Sequence, residues 1–595
     1  MARMIQLIRS RLINFSSRIS QRKLTLILAL LVGTACGFAS VLLHFLIHNI
    51  RSLATGWIDG SMSFMYAILP GLGMLISLLL VKYLVRDNIG HGVTKVLVAV
   101  SKNESRIKAH NMWSSIITSG ITIGMGGSVG AEAPIVYTGA AIGSNVARFM
   151  GLSHKDVTLL LGCGAAGAVA GIFKAPLAGI LFTLEILLFN ISMTSMLPLL
   201  LSTVSATVIS CLFSGTTAQF SCNVTPFAMQ NIPAYIVLGI FCSLFSMYFN
   251  RTTMWLEDKA KQISNPYVKW AICSVGLGLL IFLFPPLYGE GYTDLQVLLA
   301  GKTPDYTGLS PLDFFLSKPA LIPVFFLLIL ILKVFSMTFT NAGGGVGGTF
   351  GPTLFIGGIA GFLVARLINM MFGASAFSVP EANFVLVGMA GLMAGVMQAP
   401  MTAIFLIAEI SGGYDLLIPL ILTSTISYGI SHAVDPYSIY TKRIAARGEL
   451  LTHDSDQAVL TLLKVQDFIE EDFETVDIED SLGQFVNAVA VSKRNIFPVV
   501  DKRHRFQGLV SLDDVRKDMF KSELYDKMHV YNFMQSAPDY IYDTDNMQQV
   551  MKKFENTGAW NLPVVSAGER KYLGFISKSK IFTEYRSRLQ EVSHD

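Results

Sequence analysis

The stretch GGSVGAEAP at residues 126–134 returns as GGVGGTFGP at residues 344–352, an offset of 218 residues. A second pair follows in the same order, AGIFKAP at 170–176 and AGVMQAP at 394–400, an offset of 224 residues. An acid stands nine residues beyond the proline of each second block, at Glu185 and Glu409. Two landmarks in one order at nearly one offset predict a duplicated unit, with corresponding interrupted segments around a central binding site.

Composition places most of the chain in a membrane. Of the 595 residues, 52% are hydrophobic and 14% are charged, whereas soluble proteins carry about a quarter charged residues. Mean hydropathy is +0.53. These values exclude a single soluble core and a disordered chain. The six cysteines show no metal-ligand spacing, so no metal site is expected.

Charged residues divide the chain. Residues 1–440 hold 24 Lys or Arg and 16 Asp or Glu, whereas residues 441–595 hold 21 and 25. Six basic residues precede the first apolar run, which predicts a cytoplasmic N-terminus. No basic face indicates nucleic acid as a partner. The predicted parts are an amphipathic segment at 1–23, a transmembrane domain at 24–440, a linker at 441–464 and soluble modules at 465–520 and 530–590.

The apolar stretches of the transmembrane part are interrupted by glycine and proline. Those near 113–125 and 401–411 are far shorter than the ~20 residues that cross a bilayer. Such segments are typical of discontinuous transporter helices, whose broken backbone surrounds a protein-lined site. We therefore predict two related halves of short helices, at about 24–213 and 231–440.

Both glycine-rich stretches end in a proline that suits the first turn of a helix. The N–H groups at a helix start, together with the positive end of its dipole, bind an anion through partial charges. Such binding is weak enough for release, as transport requires. Gly90-His91-Gly92-Val93-Thr94-Lys95 is a third candidate helix start. We expect the three to converge on one small dehydrated anion.

Glu132 lies inside the first glycine-rich stretch. A carboxylate in a membrane segment is costly and indicates a function. When ionised it would occupy the anion site itself, and when protonated it would leave. We predict that Glu132 is both gate and proton acceptor; the alternative is a structural acid that caps a helix.

The tail contains its own repeat. NIFPVV at 495–500 followed by GLVS at 508–511 resembles NLPVV at 561–565 followed by GFIS at 574–577. Each copy is typical of two strands and a helix. This predicts two similar α/β modules.

Together, GSVGAEAP, GGTFGP, AGIFKAPLAGILFTLE and PYSIY, ahead of a paired tail repeat, resemble the CLC family of chloride channels and chloride/proton antiporters. The resemblance covers nearly the whole chain, and the tail is similar to paired cystathionine-β-synthase-type (CBS) domains. It implies the CLC fold, an all-α polytopic membrane domain of two inverted repeats with short broken helices, followed by a cytoplasmic α/β CBS-domain pair. It also implies a homodimer in the cell (inner) membrane, with both termini cytoplasmic, and a transport protein rather than an enzyme.

The resemblance implies roles for particular residues. Glu132 matches the external gating glutamate, although Ala133 replaces the glycine of that motif. Thr349 and Phe350 match the positions whose backbone amides hold the central anion. Tyr440 matches a tyrosine whose hydroxyl binds this anion from the cytoplasmic side.

Two positions depart from the family pattern. His91, followed by Gly92, stands where a serine normally coordinates the ion. It could make conduction depend on cytoplasmic pH, or it could simply supply an N–H in place of the serine. Ile186, next to Glu185, occupies the inner proton-transfer position and cannot relay a proton. Ile186 favours a passive channel, whereas an exchanger would need water or His91 in its place, and both mechanisms stay open.

Glu185 and Glu409 are repeat mates. We predict that they are structural acids bound by helix-end amides rather than proton carriers.

CBS-type pairs bind adenine nucleotides through a Ser/Thr-x-x-Asp stretch. Ser511 and Asp514 match this pattern in the first module, whereas Lys580 replaces the acid in the second. One intact half-site makes ATP or AMP a candidate ligand, and a structural dimerisation module is the alternative. No other cofactor is predicted.

The leading prediction is a protein of the lipid bilayer that moves chloride, and protons if transport is coupled, through a site gated by Glu132. A different class of function is a nucleotide-sensing membrane protein whose membrane domain conducts nothing. The intact glycine-rich stretches and Glu132 argue against it.

Overall fold

A computed structural model describes most of the chain, at residues 20–56, 64–87, 89–102, 104–187, 193–217, 220, 224–304, 306, 310–312, 314–376, 378–445 and 465–584. It divides into two compact units, Met1–Leu450 and Leu451–Asp595. The predicted N-terminal segment up to residue 19 and the predicted linker beyond residue 445 lie outside the described residues.

The described part of the first unit is built from helices. Those of its first half are α1 (Gln21–Thr55), α2 (Met65–Leu79), α3 (Gly92–Lys102), α4 (Ser114–Gly124), α5 (Glu132–Phe149), α6 (His154–Phe173), α7 (Pro176–Glu185) and α8 (Met193–Ser214). Those of the second half are α9 (Ile232–Lys261), α10 (Pro266–Leu283), α11 (Tyr292–Leu299), α12 (Phe314–Ser317), α13 (Ile322–Ala342), α14 (Phe350–Ala376), α15 (Glu381–Met397), α16 (Pro400–Ser411), α17 (Leu417–Val434) and α18 (Ile439–Ala445). A π-helical turn, Leu80–Val85, extends α2.

Helix lengths agree with a membrane domain of interrupted helices. Among the described residues, nine helical segments are long and apolar enough to span a bilayer. The apolar helices α3, α4, α7, α15 and α16 have only 10 to 17 residues. The prediction of short, broken helices is confirmed.

The two halves pack in the same way. Helix α5 contacts α6 through Gly139 and Gly164, and α14 contacts α15 through Gly357 and Gly388. A Cβ atom on Gly139 would lie 2.2 Å from the carbonyl oxygen of Gly164, and one on Gly357 would lie 2.5 Å from that of Gly388. Only glycine allows backbones to approach this closely. The duplication predicted from the glycine-rich stretches is therefore present in the packing.

The halves also cap each other at α7 and α16. Glu185, the last residue of α7, accepts a hydrogen bond from the N–H of Thr402 in the first turn of α16, 2.7 Å away. Glu409, near the end of α16, accepts one from the N–H of Ala178 in the first turn of α7, 2.9 Å away. Each carboxylate therefore satisfies amides that a helix start leaves unpaired. The predicted contact of these two acids with helix-end amides is confirmed, and the absence of a proton-carrying role stays a prediction.

The second unit contains two copies of one module. The first holds β1 (Val476–Asp477), α19 (Leu482–Val491), β2 (Ile496–Val500), β3 (Phe506–Ser511) and α20 (Leu512–Val515). The second holds β4 (Ile541–Tyr542), α21 (Met547–Thr557), β5 (Asn561–Val565), β6 (Tyr572–Ser577) and a helical stretch at 578–584. In each, the first strand pairs in parallel with the second, and the second pairs antiparallel with the third. The predicted repeat of strands and helices is confirmed.

Candidate functional site

The two glycine-rich stretches meet. Gly130 and Gly348 form an antiparallel bridge, with N–H to carbonyl distances of 3.0 and 2.7 Å. A Cβ on Gly348 would lie 2.7 Å from that of Ala133, so the contact needs a residue without a side chain. This bridge brings the starts of α5 and α14 together at one point between the halves.

Glu132, the first residue of α5, turns its carboxylate onto the start of α14. Its Oε2 accepts a hydrogen bond from the N–H of Gly351, 3.2 Å away, and its Oε1 accepts one from the hydroxyl of Tyr292. The side chain is only 3% exposed. We call this position, where an oxygen of the Glu132 carboxyl accepts a first-turn N–H of α14, the anion seat.

Thr349 and Phe350 border the anion seat. Phe350 begins α14, and its buried ring packs against those of Phe173 and Phe182, with centroids 5.4 and 6.4 Å apart. This packing fixes the first turn of α14. Thr349 is also buried, and its hydroxyl has no hydrogen-bond partner among the described residues.

The third predicted helix start reaches the same place. A Cβ on Gly92, the first residue of α3, would lie 2.4 Å from the carbonyl oxygen of Ala133 in α5. The His91 side chain, however, faces an acid, because its Nε2 lies 3.8 Å from Oε1 of Glu257. The backbone of α3 thus packs against α5, and the imidazole of His91 lies near Glu257 of α9.

Tyr440 is buried on α18 and lies beside Thr349, with its hydroxyl 3.8 Å from the sulfur of Met397. One turn later, Arg443 makes an ion pair with Glu257 at 2.6 Å. Because Glu257 also faces His91, this acid joins α18 to the loop before α3. The structure therefore groups Glu132, Gly92, Thr349, Phe350 and Tyr440 around one region.

Other predicted residues lie elsewhere. Ile186 is buried just after the end of α7. In the second unit, Ser511 and Asp514 form a capping box at the start of α20, and Asp514 also accepts a hydrogen bond from the side chain of Gln535, 2.8 Å away. Both polar groups of the predicted nucleotide half-site therefore already serve local structure.

Sequence reasoning missed the turn at the start of α11, Gly289–Tyr292, whose Tyr292 hydroxyl donates a hydrogen bond to Glu132. The sequence does contain a pattern that indicates this turn. GEGYT at residues 289–293 resembles GHGVT at residues 90–94, and each precedes or begins a helix, α11 or α3. The two motifs occupy corresponding places in the two halves, so the repeat extends further than the two landmark pairs indicated.

Comparison with known proteins shows where this architecture recurs. The family model described as "Voltage gated chloride channel" matches residues 73–432, and the CBS domain model matches residues 465–521 and 530–587. Chloride channel protein CLC-e of Arabidopsis thaliana is 25% identical, over 85% of this chain and 77% of its own length. The H(+)/Cl(-) exchange transporter ClcA of Vibrio parahaemolyticus is 26% identical, over 72% and 91%.

The fold is similar to a crystal structure of a slow cyanobacterial Cl-/H+ antiporter, with a TM-score of 0.62 at 22% identity. That likeness covers 72% of this chain and 98% of the other. It supports the arrangement of helices described above.

Proposed function

This chain belongs to the family of voltage-gated chloride channels, and we propose that it moves chloride across a membrane through the anion seat, with Glu132 as the gate. One observation carries the proposal, namely that the Glu132 carboxylate accepts the N–H of Gly351 at the start of α14. A negative group already rests where a helix start attracts an anion. Chloride therefore competes with Glu132 for the same donors.

The competition makes the gate sensitive to protons. An ionised Glu132 fills the anion seat and blocks it, whereas a protonated Glu132 has lost the charge that the amides attract and gives way to chloride. Because the seat uses backbone N–H groups, it holds the ion through partial charges. Binding of this kind allows both entry and release.

The test is chloride efflux from liposomes that contain the purified chain, measured across a range of external pH. Wild-type flux should rise as pH falls, because acid protonates Glu132. Glu132→Gln, which is permanently neutral, should conduct at a rate that no longer changes with pH. Glu104→Gln, at an exposed acid paired with Arg106, is the matched control and should behave like wild type. An unchanged pH response in Glu132→Gln would show that Glu132 is not the gate.

Passive conduction and exchange for protons are the two mechanisms to separate. Ile186 favours the passive channel, because a buried apolar side chain at the inner proton-transfer position cannot relay a proton from the cytoplasm. The second acid that lies near Glu132, Glu290, favours exchange. With chloride equal on both sides and a pH gradient imposed, a coupled exchanger gives a shifted reversal potential. A channel gives a reversal potential of zero.

We further propose a homodimer in the cell membrane with both termini in the cytoplasm. The six basic residues ahead of the first apolar run, which starts at Leu24, support this orientation. Large apolar side chains, including Leu197, Val204 and Ile418, are exposed on α8 and α17, which supports burial against lipid or a second subunit. Crosslinking in the membrane should give a dimer, and protease added outside sealed right-side-out vesicles should leave the tail intact.

For the tail we propose a structural role without tight nucleotide binding. Ser511 and Asp514 already cap α20, and Lys580 replaces the second acid. Equilibrium dialysis of the full chain with ATP and AMP tests this. Saturable binding at millimolar nucleotide that Asp514→Ala removes would instead establish a nucleotide site.

A further inference from the structure

The turn Gly289–Tyr292 is held firmly between the halves. The N–H of Gly289 donates to the carbonyl oxygen of Gly126, 3.0 Å away, and the fully buried Lys333 donates from Nζ to the carbonyl oxygen of Gly289 at 2.8 Å. Gly291 has a φ of +90°, and a Cβ there would lie 2.3 Å from the ring of Phe355 in α14. The side chains of this turn therefore have fixed positions relative to the anion seat.

Two of these side chains face the gate. The hydroxyl of Tyr292 donates to Glu132. Oε1 of Glu290 accepts a hydrogen bond from the N–H of Ala131, the residue before Glu132, at 3.1 Å. The charges of Glu290 and Glu132 are close enough to interact. The gate carboxyl therefore has a second carboxyl as its neighbour.

Acidic residues outnumber basic residues in the surroundings of Glu290. Lys333 and Arg51 are the basic residues whose charges interact with Glu290. The guanidinium of Arg51 lies 5.7 Å from the centroid of the Tyr288 ring. Asp294 is a third acid near Lys333 and accepts a hydrogen bond from Tyr306 at 2.5 Å. Among the described residues, Glu290 and Asp294 thus share two basic neighbours, and of these Arg51 is exposed to water, which screens its charge. Neighbouring carboxyls in this setting share a proton, because two like charges near each other disfavour joint ionisation.

Water reaches the two carboxyls unequally. Glu132 is 3% exposed, whereas Glu290 is half-buried. Glu290 is therefore the more accessible carboxyl of the pair.

We propose that Glu290 is a positioning residue for the proton of the gate. The negative charge of Glu290 strengthens proton binding by Glu132 and so sets the pH at which Glu132 leaves the anion seat. This inference rests on the proposed function. When Glu290 is ionised, its charge opposes ionisation of Glu132, and a proton taken from the solution resides on Glu132. The anion seat then opens at a higher pH than Glu132 alone would allow.

The internal repeat of the membrane unit supports a role for the turn Gly289–Tyr292 at the anion seat. Its mate, GHGVT at residues 90–94, brings Gly92 against Ala133 in α5, and Gly291 lies correspondingly against Phe355 in α14. Each copy packs on the first turns of the seat helix in its own half. The copy at 289–293 differs by carrying the two polar side chains that act on Glu132.

The experiment is the midpoint of the pH–flux curve in the liposome assay. Glu290→Gln keeps an oxygen that accepts from the N–H of Ala131 but removes the charge, so the midpoint should move to lower pH by about one unit. Glu290→Asp keeps the charge and should restore a midpoint near that of wild type. Glu104→Gln is the matched control; it neutralises an exposed acid that is paired with Arg106, away from the gate loop, and its midpoint should stay within about 0.3 units of wild type.

The outcomes separate this inference from the proposed function. A midpoint that does not move in Glu290→Gln, while Glu132→Gln abolishes the pH response, overturns the role of Glu290 and leaves the gate in place. A response that survives in Glu132→Gln overturns both. A Glu290→Asp variant that shifts as far as Glu290→Gln, with both melting like wild type, shows that shape rather than charge matters and also overturns the inference.

Discussion

At the scale of single residues, the proposed gate depends on a balance of opposing contacts on one carboxyl, that of Glu132. Tyr292 and the N–H of Gly351 donate hydrogen bonds to Glu132 and favour its charged, blocking form. Burial favours its neutral form, and under the role proposed for Glu290 the charge of that neighbouring acid does so too. Substitutions at residues 290 and 292 should therefore move the gate in opposite directions.

Tyr292→Phe tests the other side of this balance. The hydrogen bond from the hydroxyl is lost, while the edge-to-face contact with the ring of Phe220, at 5.5 Å between centroids, can remain. A hydrogen bond to a charged group contributes about 1.5–3 kcal/mol, so the charged form of Glu132 should become less stable. The midpoint of chloride flux should move to higher pH by about one unit.

The liposome flux assay measures this shift alongside Glu290→Gln. A movement of Tyr292→Phe to lower pH, in the same direction as Glu290→Gln, would contradict the balance described here.

At the scale of elements, helix ends determine the site more than helix faces do. The anion seat lies at the starts of α5 and α14, and α7 and α16 begin on each other's final acids. Half-helices have unpaired amides at their starts, and inside a membrane no water satisfies them. These unpaired amides can be satisfied by a bound anion, by a gating acid or by a structural acid.

Glu185→Gln and Glu409→Gln should each lower stability without changing the pH response. Each variant replaces a carboxylate that binds two first-turn amides with a weaker neutral acceptor, which should cost about 1–2 kcal/mol in the free energy of unfolding. Thermal unfolding in detergent, followed with flux in liposomes, measures both properties.

The two variants are matched controls for each other, because the caps are reciprocal. A variant that melts like wild type but loses coupling to protons would show instead that its acid carries protons.

At the scale of the whole molecule, the two halves of the membrane unit pack their helices in the same way. The pairs α5–α6 and α14–α15 approach through matching glycines, and the two copies meet at the bridge between Gly130 and Gly348. A site between related halves receives one helix start from each. Because the halves are similar, damage to either close contact should have a comparable effect.

Gly139→Ala and Gly357→Ala should both severely reduce stability, since the new Cβ would lie 2.2 Å and 2.5 Å from backbone oxygens that cannot move aside as a flexible side chain would. Gly429→Ala on α17 is the control, because a Cβ there meets nothing within 4 Å. Alanine in that open helical position should stabilise the helix by about 0.5–1 kcal/mol. The yield of folded protein and its melting temperature in detergent distinguish these outcomes. Normal stability in Gly139→Ala would contradict the packing argument.

Patterns along the chain were enough to predict the membrane class, the duplication and the tail modules, and they singled out Glu132, whose role as the gate stays a prediction. Each of these depends on composition or on spacing between nearby residues, such as a glycine-rich loop followed by proline. The structural role of Glu185 and Glu409 was also accessible, because their positions nine residues after matching prolines marked them as repeat mates. Local chemistry and repetition are properties of sequence alone.

Contacts between distant segments decided the rest. The position of Glu290 beside Ala131, and of Tyr292 on Glu132, joins parts of the chain about 160 residues apart, and no local pattern at either end predicts the pairing. The imidazole of His91 faces Glu257 for the same reason, since α9 and α18 bring that acid and Arg443 to the loop before α3. Which side chain touches the gate depends on how the helices pack, because packing is what converts separation along the chain into proximity in space.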